Sequence, residues 1–325
     1  MSSLARRVAN TLLRSSTVSG GVRALARVRG HRLVLVYHRL GPSAPPGCAV
    51  VPSVPVDVFR AQLQALCEVV DLVTIDEVLA FDSRAGDRKR PAVALTFDDD
   101  LPSHVEHALP VLRELGVPAA FFLSGRLLHG LGPYWFQQLE ALLVAHGTQR
   151  TAALLRVPEA HAGSLAQICQ GNVDLQRRVS ELAAGVSTPA VLERDAIASL
   201  GAAGMTVGFH TVEHDVLPDL DDPALESAVS RGREDLAAVA RAAVRYFAYP
   251  HGKADTRSAM AVRRAGFSAA FTGRPQPVRE GNDVHRLGRW EPGPLGVDEL
   301  LVNLAMRLHR VGHAATVSFR RASSV

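Results

Sequence analysis

Val93-Ala94-Leu95-Thr96-Phe97-Asp98-Asp99-Asp100 is the stretch whose reading decides the fold. Its first five residues form a near-continuous apolar run, the pattern of a strand in a parallel sheet covered on both faces. Three adjacent carboxylates follow directly. They repel one another and lose hydration wherever they are buried, so they need compensation, and a bound divalent cation is the natural source. A solvated turn with Asp100 capping a helix from about Ser103 would account for one carboxylate of the three.

Outward from this stretch, short apolar runs alternate with helical patterns. Strands are predicted at Leu33–Tyr37, Leu72–Ile75, Val93–Phe97, Ala119–Leu123, Thr206–Phe209, Arg245–Ala248 and Ala269–Thr272, with a weaker one at Val284–Leu287. Helices are predicted between them at Val58–Val69, His104–Leu115, Val191–Ala202, Pro223–Ala240, Thr256–Ala265 and Val297–Arg310. This alternation implies βαβ units and an α/β fold with a mainly parallel sheet, open or closed into a barrel. Residues 125–189 break the rhythm and read as a helical insertion over one end of the sheet. Its Tyr134-Trp135-Phe136 cluster is placed in the core of that helix or along a substrate groove.

Composition narrows the function classes. The 325 residues are 47% hydrophobic and 21% charged, a globular balance, and no apolar run is long enough to span a bilayer. Net charge is +4, yet residues 1–56 hold eight arginines and no acid, leaving 28 basic against 32 acidic residues elsewhere. With aromatics at 5%, a nucleic-acid partner is not expected. Cys48, Cys67 and Cys169 form neither a zinc-type pair nor a disulfide framework, which favours a reducing compartment. Residues 1–30 read as a basic amphipathic helix lying on the body or touching an anionic membrane surface, an organellar transit peptide being the other reading. Arg6, Arg7 and Arg14 interrupt any secretory core, so the expected location is cytoplasmic or membrane-associated.

Three more motifs fall at strand C-termini, where parallel α/β folds place their sites. His210-Thr211-Val212-Glu213-His214 spaces two imidazoles four apart, on one face if the turn is helical. With one aspartate these make a two-imidazole, one-carboxylate ligand set suited to Zn²⁺ or a similar ion, with Co²⁺ or Ni²⁺ as substitutes. His104 and His107 form a competing pair, read as surface residues beside Glu106. Phe247-Ala248-Tyr249-Pro250-His251-Gly252 forms a rigid turn, and Tyr37-His38-Arg39 ends the first strand.

These residues resemble the polysaccharide deacetylase family, carbohydrate esterase family four, in its branch of poly-N-acetylglucosamine deacetylases. Thr96-Phe97-Asp98-Asp99 is similar to the first family motif and His210-Thr211-x-x-His214 to the second. Leu109 to Phe122 fits the pattern between them. The resemblance covers about residues 33–289. It implies a distorted (β/α) barrel of about seven parallel strands at 31–310, with the insertion at 125–189 and a C-terminal tail at 311–325. The activity it implies is hydrolysis of N-acetyl, or O-acetyl, groups on a polysaccharide or lipid-linked glycan. Asp98 would be the general base, Asp99, His210 and His214 the metal ligands, and His38 the general acid. His251 and Tyr249 would lie at the oxyanion.

Departures from the family are informative. Asp100 replaces a glycine, and Ala248 stands where many members carry an arginine that orients the base, a role assigned here to Arg286. The later family motifs are not clear, which leaves His285 as a competing acid. A small-amide hydrolase and a non-catalytic glycan-binding protein with a degenerate site stay open as alternatives.

Overall fold

The computed structural model describes residues 31–81 and 90–309, so the basic segment 1–30 and the tail 311–325 lie outside the described residues. The chain begins with β1 (Arg32–Tyr37) and two short strands, β2 (Arg39–Leu40) and β3 (Ser53–Val54), and enters α1 (Val56–Val69). β4 (Asp71–Leu72), α2 (Ile75–Leu79), β5 (Ala92–Asp98), α3 (Leu109–Leu115) and β6 (Ala119–Leu123) follow. The insertion carries α4 (Trp135–His146), α5 (Thr148–Leu154), α6 (Leu165–Cys169) and α7 (Val173–Ala183). The chain then runs through α8 (Arg194–Ala202), β7 (Thr206–Phe209), α9 (Asp222–Ser230), α10 (Arg233–Ala240), β8 (Tyr246–Ala248), α11 (Thr256–Arg264), β9 (Ala269–Phe271) and α12 (Val297–His309).

Seven strands form one sheet in the order β1-β5-β6-β7-β8-β9, with β4 also on β5, while β2 and β3 pair separately, and every pairing is parallel. Crossovers through helices produce this order, with the expected α/β architecture. The strand expected at Val284–Leu287 is instead a bridging segment that reaches both edges. Leu287 N–H donates to Ala270 O at 3.0 Å on the β9 side, and Trp290 N–H donates to Val34 O at 2.9 Å on the β1 side. This link closes the curled sheet into a barrel.

Alternation along the strands divides the core in two. Leu33, Leu35 and Tyr37 of β1, Val93, Leu95 and Phe97 of β5, and Phe247 and Tyr249 at β8 face the surrounding helices. Val34, Ala92, Ala94, Phe122, Tyr246, Ala248, Phe271 and Leu287 fill the barrel interior. Small alanines opposite two phenylalanines are what a narrow barrel accommodates.

Two helical expectations are corrected. Pro223–Ala240 is two helices, broken at Gly232, whose φ of 88° suits glycine and where a Cβ would come within 2.6 Å of the Val212 side chain. His104 is fully buried rather than on the surface. Pro110 has no N–H to give the Glu106 carbonyl, and residues 104–108 form a π turn in which Leu109 N–H reaches His104 O. His104 packs there between Phe97 and Phe121.

The insertion has its own apolar cluster, including Leu139, Leu142, Leu143, Leu155, Cys169 and Val179, against which Cys48 and Val50 pack. It is also tied down by charge. Buried Glu140 on α4 accepts from the N–H groups of Val50 and Val51 at 2.8 and 3.0 Å and from the Arg39 guanidinium. The insertion is therefore a fixed wall beside the barrel mouth.

Candidate metal centre and its pocket

The inward parity of each strand continues past its last rung and delivers the site residues. In β5, Ala92, Ala94 and Thr96 precede Asp98; in β1, Val34 and Val36 precede His38; in the closing segment, Leu287 precedes Arg289 and Glu291. Gly208 of β7 also faces inward, since a Cβ there would lie 2.5 Å from the Phe122 ring, and His210 follows it. These residues line a cavity of about 510 Å³ at the C-terminal mouth. Val50 and Val51, with Trp135, Phe136, Gln167 and Gln170 of the insertion, form its other wall.

Asp98 is buried and meets Arg289 in a bidentate pair, with both N–O distances 2.6 Å. Arg289 also donates to Thr96 Oγ1 at 3.1 Å. Burial alone would raise the Asp98 carboxyl, but Arg289, helped by His38, outweighs it and holds the group well below the usual carboxylate range. Sequence reasoning assigned this orienting role to Arg286. The correction follows from parity: Arg286 is out of phase with Leu287, whereas Arg289 is in phase and enters the barrel. Arg289 and Glu291 were legible as alternate residues of Leu287-Gly-Arg-Trp-Glu291, had that segment been read as barrel-lining.

Asp99 leaves the strand at φ 75°. Its Oδ1 lies 3.6 Å from His210 Nε2 and 3.3 Å from His214 Nε2. His210 Nδ1 donates to Ala248 O at 2.8 Å, which leaves Nε2 bare toward Asp99. His210 and His214 do not share a helical face. They sit in an irregular loop in which Thr211 and His214 have φ of 57° and 62°, and His214 N–H donates to Thr211 Oγ1 at 3.1 Å. Burial lowers both imidazoles, to about 4 for His210 and about 3 for His214, so both are neutral and ready to act as ligands.

These three side chains fit a metal ion. Asp99 Oδ1 is buried and has no hydrogen-bond partner. Two ligand atoms at about 2.0–2.1 Å from a tetrahedral ion stand about 3.3 Å apart, which matches the Asp99–His214 separation. Among the described residues these three are the group of metal-ligating type whose donor atoms converge, all within 4.8 Å of one another.

The third carboxylate has a different task. Asp100 accepts from Ser124 N–H and Arg126 N–H, each at 2.8 Å, and its own N–H donates to Tyr134 Oη. It therefore caps the loop after β6 instead of the helix after Ser103, and burial raises its carboxyl to about 6. Tyr134 is committed to this network and to Ser124, while Trp135 and Phe136 reach the pocket.

His38 enters the pocket with Nδ1 2.9 Å from Glu291 Oε1. Burial alone would lower its pKa, but Glu291 overrides this and raises it to about 9. His251 lines the pocket at φ 58°, its ring edge-to-face on His214 with centroids 4.6 Å apart. Burial lowers it to about 3, so it is neutral. Tyr249 has the outward parity of Phe247: its hydroxyl donates to His285 O at 2.8 Å within the packed shell, away from the pocket. His285 is also removed from the site, with Nε2 2.8 Å from the carbonyl of Phe267, ahead of β9.

The family profile described as Polysaccharide deacetylase matches residues 85–270 of the chain. None of the curated proteins compared matches it in sequence. Among solved structures, a Streptococcus pyogenes deacetylase, PplD, in complex with acetate superposes with TM-score 0.59 at 18% identity, over 84% of this chain and 97% of that one. IcaB from Ammonifex degensii gives TM-score 0.55 at 22% identity, over 86% and 97%. A de-N-acetylase from Aggregatibacter actinomycetemcomitans gives 0.53 at 14%, over 80% and 94%. At these identities the likeness is one of fold.

Proposed function

This chain belongs to the polysaccharide deacetylase family, and from that premise we propose that it is a metal-dependent hydrolase removing N-acetyl groups from a polysaccharide or lipid-linked glycan. The observation that carries the reading is the unpartnered Asp99 Oδ1 facing the Nε2 atoms of two buried imidazoles, one residue from a buried carboxylate that Arg289 keeps ionised. Asp99, His210 and His214 would hold the ion, and two nitrogens with one oxygen suit Zn²⁺. Bound there, a divalent ion polarises an acetyl carbonyl and acidifies a water.

The chain's own residues do the rest. Asp98, held by Arg289 and Thr96, stays ionised at neutral pH and accepts the proton of the attacking water. His38 carries a proton up to about pH 9 and gives it to the leaving amine, so that acetate and a free amino sugar result. The backbone N–H of His251 serves the oxyanion, a contribution of about 3–4 kcal/mol for one donor. The wall of Trp135 and Phe136 offers an aromatic surface to a sugar ring. Asp98 paired with Arg289, and His38 paired with Glu291, favour an enzyme over a degenerate binding site.

Purified protein analysed for metal, and then assayed for acetate release from N-acetylglucosamine oligomers and from small amides, tests the reading. The expected result is one zinc per chain and release from the oligomers. A zinc-loaded chain that releases acetate from no acetylated glycan would overturn it.

A further inference from the structure

Gln170, between α6 and α7 of the insertion, has a side-chain amide directed at the turn after β8. Its Nε2 lies 3.1 Å from Nδ1 of His251. An amide NH₂ can only donate, so Nδ1 is the acceptor, and a neutral imidazole then carries its one proton on Nε2. Among the described residues nothing accepts from that Nε2–H, although the ring lines the pocket and touches the His214 ring.

Both partners are held by the surrounding chain. Leu165 and Cys169, the first and last residues of α6, are buried in the insertion's cluster. The N–H of Gln170 donates to Ala166 O at 3.1 Å, and Gln176 Nε2 donates to Cys169 O at 2.9 Å. On the other side, His251 sits between Pro250 and Gly252, and a Cβ at Gly252 would come within 2.5 Å of the Gly273 backbone. That close approach fixes the turn, so the imidazole is presented from a rigid support.

We propose that Gln170 sets the tautomer of His251, so that the Nε2–H of this side chain stands in the pocket as a hydrogen-bond donor to the acyl oxygen of the substrate. This rests on the hydrolase reading above and extends it. The donor is a side chain acting beside the backbone amide of the same residue, and the insertion acquires a part in the chemistry besides shaping the pocket. His251 would touch the substrate; Gln170 is a positioning residue acting through it. A neutral donor beside the ligand cluster strengthens as charge develops on the oxygen, which places its effect in kcat more than in KM.

Two measurements on the full-length, zinc-loaded chain test this. Long-range ¹H–¹⁵N correlation spectra of the imidazoles should show His251 protonated at Nε2 and bare at Nδ1, with that bias lost in Gln170→Leu. A proton on Nδ1 of the wild-type His251 overturns the proposal. In kinetics on N-acetylglucosamine oligomers, His251→Phe should lower kcat by about 10²-fold with KM little changed. Gln170→Leu should cost about tenfold in the wild-type background and nothing measurable in the His251→Phe background. Equal losses in both backgrounds would mean that Gln170 acts by bracing the insertion, and would also overturn the proposal. A wild-type chain that releases no acetate removes the hydrolase reading and the acyl-oxygen role with it, while the spectrum still decides the tautomer.

Discussion

On one side of the pocket floor, Asp98 gives both oxygens to Arg289 at 2.6 Å; on the other, Asp99 turns an oxygen without any partner toward two imidazoles. Both carboxylates are about equally buried, at 3% exposure. The imidazoles cannot neutralise Asp99, because burial keeps His210 and His214 uncharged at neutral pH. One carboxylate thus has its partner inside the protein, and its neighbour's free oxygen is where an ion would bind on the proposed function. Removing one partner of a buried pair is costly, and on the proposed function a bound ion would be the partner that Asp99 Oδ1 lacks within the described chain.

Substituting the two neighbours separately should separate their tasks. Asp99→Asn is expected to abolish stoichiometric zinc binding and to lower acetate release by about 10³-fold or more, as loss of Lewis-acid chemistry implies. Asp98→Asn should keep the zinc and lose about 10²–10⁴-fold in kcat, the range for a general base. Metal analysis of the two purified variants decides. Equal zinc loss in both would mean that the carboxylates form one ligand set and that the contrast is false.

The next test concerns the compensated side. Arg289→Met strands Asp98 as an unpaired buried carboxylate and is expected to cost about 3–5 kcal/mol of stability, measured by urea unfolding of the metal-free chain. A loss below about 1 kcal/mol would show that water reaches Asp98 and that the pair is a surface pair in energetic terms. Glu140→Gln is expected to cost less, about 1–3 kcal/mol, since the amide oxygen can still accept from the Val50 and Val51 N–H groups while Arg39 loses its acceptor to the NH₂ group.

The same contrast explains what could be read from the sequence. Asp99, His210 and His214 announce themselves, because carboxylates and histidines at the ends of apolar strands are conspicuous and have few other uses there. The strands carry period-two or fully apolar signals, and six of the seven stronger ones appear within a residue or two at either end; of the seventh, Leu72–Ile75, only Leu72 is in a strand, Asp71–Leu72, because Thr74 caps α2. Arg289 and Glu291 are different: an arginine beside a tryptophan in a segment without a regular ladder has no local mark of burial, and only the closure of the barrel brings it to Asp98. Arg286 and Tyr249 show the complementary error. Each lies in the right segment with the wrong parity, and a one-residue shift sends a side chain to the opposite face. Gln170 and Glu140 depend on how the insertion docks, which no periodicity encodes.

The smallest expected effect concerns His38 and Glu291, the exposed edge of the compensated side. In the folded chain His38 is raised from its usual 6.5 to about 9. The pairing therefore contributes its full stability below pH 6.5 and loses it as pH rises through about 9. On the proposed function the same proton would go to the leaving amine, so kcat should fall on the alkaline side with the His38 titration. Glu291→Gln removes the charge that overrides burial, and the alkaline limb should move to lower pH. Activity between 6.5 and about 9 then drops, while activity below that window changes little. A limb that stays in place in Glu291→Gln would assign it to another acid and leave His38 a spectator. A limb that moves together with unchanged zinc content would extend the division to the whole pocket, with ionisable groups paired by protein partners on one side and Asp99, His210 and His214 holding the ion on the other.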